Sequence, residues 1–371
     1  MENPFQFGRI VKGQQFCNRK HELRELKVAV TSGNSIWLYS PHRTGKTSLI
    51  KNAISQIKEI KIIYVDFFKI RDEIELVEKL LNIYSNELLN SKNGIASLLT
   101  QLSNHLKNVS VSLDAKGTPI IGINPKTEER AETLKSILEL PESINHSKQI
   151  CIAFDEFQEI DRLDPMIKNI MNSVFLEQKK VNYIFLGSKE SSMKAIFSEA
   201  KFSFFQYTDE MKISPISSID LALFIHSMFK ESKLKIDQKT ISNILKISEC
   251  HPHYTQYAAY VAWNLIYQKI PQDDKFLEIL LSRIIESQTH LFRTIYDQLN
   301  TNQRKVLCAV SDAKMQNILS NATMLKFELP SKSTVTTALN SLLQKNLILR
   351  TNGFYKFENP IFKIWINKLY D

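Results

Sequence analysis

A lysine that follows a glycine and precedes a hydroxyl residue, where an apolar strand gives way to a helix, is an arrangement for holding phosphate. Ser40-Pro-His-Arg-Thr-Gly-Lys-Thr47 has that form, with the short apolar run Ile36–Tyr39 before it and the helically spaced Ser48–Ile54 after it. Backbone N–H groups at a helix N-terminus converge on an anion, and the helix dipole favours negative charge. Ser40, His42, Arg43, Thr44, Gly45, Lys46, Thr47 and Ser48 are therefore the candidate nucleotide-binding residues. Gly45 lets the backbone approach the phosphates, Lys46 is expected to reach the β- and γ-phosphates, and the Thr47 hydroxyl to ligate Mg2+. The first position of G-x-x-x-x-G-K-[ST] is Ser40, which resists positive φ, so the loop must be entered without it.

About a hundred residues on, the apolar run Ile150-Cys-Ile-Ala-Phe154 ends in Asp155-Glu156. A carboxylate at the C-terminal edge of a strand is where open α/β sheets place ligand-contacting groups. Asp155 is expected to hold Mg2+ with Thr47, and Glu156 to polarise the water that attacks the γ-phosphate. The next strand, Tyr183–Leu186, ends in Gly187-Ser188. Ser188 is either a group that orients that water or an ordinary cap of the following helix.

These residues need a scaffold. The first two-thirds of the chain alternates short apolar runs with longer helical patterns, the mark of a parallel α/β sheet buried on both faces. The strands are expected at Ile36–Tyr39, Ile60–Phe68, Ile150–Phe154 and Tyr183–Leu186, with a fifth over Gln206–Ile213. A β-hairpin insertion is expected at about 109–124, between Val109–Leu113 and Pro119–Ile123. From Ser217 the apolar residues recur at three- and four-residue spacing, predicting helices over Leu221–Phe229, Gln238–Ile247, Tyr254–Tyr267 and Lys275–Leu299. After Asn300 come helical patterns at Gln303–Val310, Met315–Leu319 and Ser331–Lys345, then a hairpin from Leu347 to Phe357, the order of a winged helix-turn-helix. Three domains follow: 1–215, 216–299 and 300–371.

Composition narrows the classes. With 371 residues, 43% hydrophobic and 23% charged, the chain is globular in type and long enough for two or three domains. It holds no run of about 18 apolar residues, which argues against a membrane span. Met1–Phe16 lacks the apolar stretch of a secretory signal, and Cys17, Cys151, Cys250 and Cys308 are scattered without a C-x-x-C pair. Reduced thiols in a cytoplasm fit that pattern better than a disulfide framework or a zinc ribbon. The formal charge is +9, and residues 300–371, with ten Lys/Arg and four Asp/Glu, supply +6 of it. A basic terminal module suits a polyanion, or is a well-solvated surface. On the third helix of the winged element, Lys332, Ser333, Thr336, Thr337 and Asn340 take the outward positions, with Lys345 and Arg350 near the wing. Such side chains contact phosphate and read base edges in double-stranded DNA.

Together the phosphate loop, the Asp-Glu strand and the helical region resemble the STAND-class ATPases of archaeal and bacterial type, P-loop relatives of the AAA+ and origin-recognition ATPases. Asn3-Pro-Phe5, Gly8, Val11, Phe16, Asn18-Arg19 and Glu22-Leu23 are similar to the family's entry segment N-P-F…F-x-N-R-x-x-E-L, and Asp66 after the second strand also matches. The resemblance implies that this segment, Arg19 included, lies beside adenine. It also implies that Cys250-His-Pro-His-Tyr254 occupies the lid position of G-G-x-P-Y-Y, bringing Pro252 to the base. Tyr355, Phe357, Asn359-Pro360, Phe362 and Trp365 look like the family's C-terminal Y-x-F-x-D-P-x-F-x-x-W. The chain departs from the pattern at Ser40, Cys250 and Asn359, and offers Lys201 alone where relatives carry a Gly-Arg element. What the resemblance implies is a P-loop NTPase fold with helices on both faces of its sheet, a helical lid and a winged helix, using ATP and Mg2+. A nucleotide-dependent switch with ADP as product is the expected activity, weak or partner-stimulated in the absence of an evident arginine finger. The alternative is an oligomerising signalling or defence scaffold, with a protein partner or a second copy in place of DNA.

Overall fold

A computed structural model of the chain describes residues 2–11, 13–88, 109–113, 119–123, 129–143, 148–206, 208–312, 317–351 and 353–370. They divide into two compact units, one of Arg19–Pro41 with Lys46–Ser214, the other of Met1–Asn18, His42–Gly45 and Pro215–Asp371.

The first unit is built on a five-stranded parallel sheet. Its elements are α1 (Lys20–Thr31), β1 (Ile36–Tyr39), α2 (Lys46–Gln56), β2 (Ile60–Asp66), α3 (Glu73–Leu88), β3 (Val109–Leu113), β4 (Pro119–Ile123), α4 (Arg130–Ser143), β5 (Gln149–Asp155), α5 (Pro165–Glu177), β6 (Val181–Gly187), α6 (Glu190–Ser198), the short α7 (Ser203–Gln206) and β7 (Asp209–Glu210). The strand order is β2-β5-β6-β1-β7, parallel throughout. The inner strands β5 and β6 are buried along almost their whole length, which is why their sequences are apolar without alternation. Phe154, Phe157, Phe175, Tyr183 and Phe185 pack as one aromatic core, Phe175 stacking on Tyr183 at 3.9 Å between centroids. Parallel pairing also aligns the strand ends: Tyr39 is opposite Gly187, and Asp66 is opposite Asp155.

Two expectations need adjustment. The fifth strand, expected over eight residues, pairs only through Asp209 and Glu210, beside Ile36 and Trp37. A charged, two-residue edge strand is one way a sheet avoids a sticky border. The inserted hairpin forms as β3 against β4, Val109 opposite Ile123 and Leu113 opposite Pro119; its turn and residue 124 lie outside the described residues.

In the second unit the helices are α8 (Ser218–Glu231), α9 (Gln238–Ile247), α10 (Pro252–Tyr267), α11 (Phe276–Asp297), α12 (Thr301–Ser311), α13 (Asn321–Lys326), α14 (Lys332–Gln344) and α15 (Pro360–Tyr370), with the hairpin β8 (Ile348–Thr351) and β9 (Phe354–Phe357). Caps explain the starts: Ser217, Asp237, Asn300, Ser320 and Ser331 each accept a backbone N–H of the helix they precede. Of the helical pattern at Met315–Leu319, residues 315 and 316 lie outside the described residues and 317–319 are not helical; the helix described there is Asn321–Lys326, capped by Ser320. The N-terminal Asn3-Pro-Phe5 pins itself into this unit. Asn3 donates to the Tyr260 carbonyl and to Asn264 Oδ1, each at 3.0 Å, and the Phe5 ring packs against Phe224 and Phe229. Phe292, Phe357, Phe362 and Trp365 tie α11 to the winged element. Among the described residues no helix is long and apolar enough to cross a membrane.

Candidate functional site

The loop between β1 and α2 leaves the sheet at Ser40, whose N–H still bonds the Gly187 carbonyl at 3.1 Å. Its positive φ angles fall on Arg43 (59°) and Gly45 (98°) and not on Ser40, so the missing first glycine is not required for this path. Lys46 begins α2 and is only 6% exposed. Its ammonium donates to the carbonyls of Ser40 at 2.5 Å and Pro41 at 3.0 Å, which curls the loop entry around its positive charge. Ser48, the third residue of the helix, is buried and its carbonyl accepts from the Asn52 amide at 2.7 Å.

Opposite this loop stands the end of β5. Asp155, 3% exposed, takes two hydroxyl donors on Oδ2, from Thr47 at 2.7 Å and from Tyr64 at 2.6 Å. Its Oδ1 accepts from the Glu156 backbone N–H at 3.0 Å. Burial, then the Asp155 charge, push the Tyr64 phenol far above its ordinary value, so it stays a donor. Asp66, at the end of the neighbouring strand, is half-buried; desolvation foremost, with Asp155 and Glu156 adding to it, raises its carboxyl above the usual range. Glu156 itself sits at φ 53°, ψ 40°, left-handed for a residue with a side chain. Its Oε2 accepts from Ser188 Oγ at 2.6 Å and Gln158 Nε2 at 2.5 Å.

The structure thus brings together Thr47 with Asp155, and Glu156 with Ser188. Arg19, buried in the sheet unit, pairs with Glu22 at 2.7 Å and bonds the Ser214 carbonyl. His42, Arg43, Thr44 and Gly45 group with the helical unit, where His42 O meets His251 Nε2 at 3.2 Å and Arg43 hydrogen-bonds Tyr254. Pro252 opens α10 in that same unit. Cys250, where the resemblance has glycine, adopts φ 56°, a conformation that explains why glycine suits the position. Tyr64 and Gln158 escaped the sequence reading; the only signals for them were a tyrosine two residues before Asp66 and a glutamine two after Glu156.

A parallel sheet with a phosphate loop after its first strand and acids at the end of β5, in a chain that also carries a C-terminal winged helix, defines the class: a P-loop ATPase domain joined to a winged helix. Residues 16–258 match the family described as "ATPase domain predominantly from Archaea", and the chain belongs to that family. Residues 290–368 match the family described as "Probable winged helix domain". No curated protein matches. Among solved structures, a Walker-type ATPase of Pyrococcus abyssi is similar over 98% of this chain and 99% of its own, with 14% identity and a TM-score of 0.67. The ORC2 protein of Aeropyrum pernix, in its ADPNP–ADP complexes, covers 95% of each chain at 12% identity and a TM-score of 0.56. The ORC1 protein of the same organism, in complex with DNA, covers 96% of this chain and 94% of its own at 11% identity and 0.52. At these identities the likeness is one of fold.

Proposed function

We propose that this protein binds ATP with Mg2+, hydrolyses it, and uses the bound nucleotide to bias its conformation, acting in the cytoplasm. One observation carries most of the weight: the hydroxyl of Thr47, next to the loop lysine, and the carboxylate of Asp155 converge to 2.7 Å. Hard oxygen ligands from one hydroxyl and one carboxylate suit Mg2+, which keeps several waters and bridges to phosphate. Bound there, the ion would neutralise phosphate charge. The chain's own residues do the rest. Lys46 exchanges its two carbonyl acceptors for phosphate oxygens, and backbone N–H groups at the start of α2 face the same anion. Glu156, held by Ser188 and Gln158, is the base that orients water. Arg19 and Pro252 are assigned to the base side by family resemblance, and the division at 215 and 299 separates the ATPase core, lid and winged helix in the same scheme.

The test is a pair of variants in the full chain. Lys46→Ala should lose nucleotide binding, while Glu156→Gln should bind as the wild type does and fail to turn over. Equal ATP affinity in wild type and Lys46→Ala refutes the site.

A second activity, contact with double-stranded DNA, is favoured by α14. Lys332, Ser333, Thr336, Thr337 and Asn340 are all exposed along its outer face, while Val335, Ala338 and Leu339 are buried. Together with the +6 charge of residues 300–371, this face can meet phosphates and base edges. Retarded mobility of a duplex that weakens steeply with salt supports it; no shift at about 50 mM salt rejects it.

A further inference from the structure

We propose that Gln158 is a positioning residue for Glu156: anchored to β6 through Ser188, its side-chain amide fixes the direction of the Glu156 carboxylate, so that losing it slows turnover without weakening nucleotide binding. The proposal rests on the ATPase role assigned to Glu156 above and deepens it.

Three side chains close a ring. Gln158 Nε2 donates to Glu156 Oε2 at 2.5 Å and to Ser188 Oγ at 3.0 Å. Ser188 Oγ donates its hydroxyl hydrogen bond to Glu156 Oε2 at 2.6 Å, and the Ser188 backbone N–H donates to Gln158 Oε1 at 3.1 Å. Only one orientation of the amide satisfies this ring. Turned over, it would set its oxygen against the carboxylate and its NH2 against the Ser188 N–H, wasting two donors and two acceptors. With Gln158 at 5% and Ser188 at 7% exposure, water is poorly placed to substitute.

The surroundings are shaped for that amide. A Cβ on Gly187 would lie 2.8 Å from Gln158 Oε1 and 2.3 Å from Met193, so the bare backbone of β6 leaves the space the amide fills. Glu156 is held at φ 53°, which presents its side chain to Gln158 and Ser188 at the cost of an uncommon backbone conformation. Chemistry excludes the obvious substitutes. Leucine keeps the volume and has no donor; asparagine is one methylene too short to reach both partners; glutamate sets a second carboxylate against the first. A catalytic carboxylate displaced by about 1 Å loses on the order of 100-fold in rate even when the substrate still binds.

The experiment uses the full chain with ATP and Mg2+, reading kcat and KM for ATP, the affinity for a slowly hydrolysed ATP analogue, and the thermal unfolding midpoint. Gln158→Leu and Gln158→Asn should lower kcat by about 10- to 100-fold while KM and analogue affinity change by less than about 2-fold. Ser188→Ala should act in the same direction, and the Gln158→Leu/Ser188→Ala double variant should be little worse than the poorer single one, because the two belong to one ring. If Gln158→Leu does not fold, Gln158→Asn and Ser188→Ala carry the same readings. A wild type that turns over ATP in a Lys46-dependent way, with Gln158 variants equally fast or impaired only in KM, overturns the role of Gln158 alone. A wild type that turns over no ATP, with or without duplex DNA, removes the ATPase assignment and this proposal with it.

Discussion

The two units handle buried polar groups in opposite ways. In the sheet unit, Asp155 lies 3% exposed with Thr47, Tyr64 and a backbone N–H all donating to it, and Glu156 takes two side-chain donors. In the helical unit, the half-buried His251 has its Nδ1 atom out of solvent and lacking a hydrogen-bond partner among the described residues. Desolvation first, then Lys356 and Arg43, lower His251 to about 4, and desolvation with Arg43 and His251 does the same to His253. One cluster spends its hydrogen bonds on fixing charged oxygens in one geometry, as chemistry requires. The other keeps imidazoles neutral in a dry setting, which ties the stability of that unit to pH and gives it no evident reaction. The contrast agrees with the proposed placement of the reaction at the strand ends of the sheet unit.

The sharpest break to that contrast is Glu156→Gln, which should cut turnover by about 1,000-fold and leave analogue affinity within about 2-fold. Retained turnover would mean that a carboxylate held by two side-chain donors is structural. Lys46→Ala comes next. Removing a buried ammonium from an anion site should weaken ATP binding by about 100-fold, measured by calorimetry, at roughly 1.4 kcal/mol per tenfold. Unchanged affinity would move the phosphate away from the start of α2.

Much of this site was legible because its parts are local. A strand, a loop ending Gly-Lys-Thr and a helix start are contiguous, and the apolar run of β5 announces where Asp155 and Glu156 must emerge. Ser188 could be proposed because β6 is equally apolar. Gln158 and Tyr64 could not, because their importance comes from pairing across strands: Tyr64 reaches Asp155 only once β2 lies beside β5. The entry segment shows a different limit of the sequence. Asn3-Pro-Phe5 and Arg19 read as one motif in sequence, yet the first is bonded into the helical unit and the second into the sheet unit. Expecting α13 too early reflects a choice of apolar periodicity over Ser320, the capping residue that sets its start.

The histidine side of the comparison is tested by pH. Folded values near 4, below the ordinary 6.5, mean that between these limits the unfolded chain binds protons the folded chain does not. Stability is therefore highest above about pH 6.5 and falls as pH drops toward 4. At pH 5 each histidine should cost about 2 kcal/mol relative to pH 7, the pair somewhat less than twice that because they are neighbours. Urea midpoints of wild type and of His251→Gln/His253→Gln at both pH values measure it. A wild type no more acid-sensitive than the variant would show that water reaches these rings.

Smaller effects refine each side. Tyr64→Phe removes one of the two hydroxyls on Asp155 Oδ2 and leaves the ring in place, so the Mg2+ concentration for half-maximal turnover should rise about 10-fold with the melting point nearly unchanged. No change would reduce Tyr64 to a packing residue of β2.

The gentlest test falls on the exposed face of α14, where polar groups are committed to little beyond their own helix: Thr336 and Thr337 return their hydroxyl protons to the carbonyls of Lys332 and Ser333. With no fixed geometry to lose, a truncation there should act through charge. Lys332→Ala should weaken duplex binding about 3-fold at low salt, equally for every sequence, and lower the salt slope by about one unit, since one phosphate contact disappears. Asn340→Ala should weaken binding by a similar factor only for the preferred sequence, because an amide reads a base edge and contributes little to a phosphate. If both variants bind as the wild type does, phosphate is met by another face of the basic module, and α14 owes its polar surface to solvent alone.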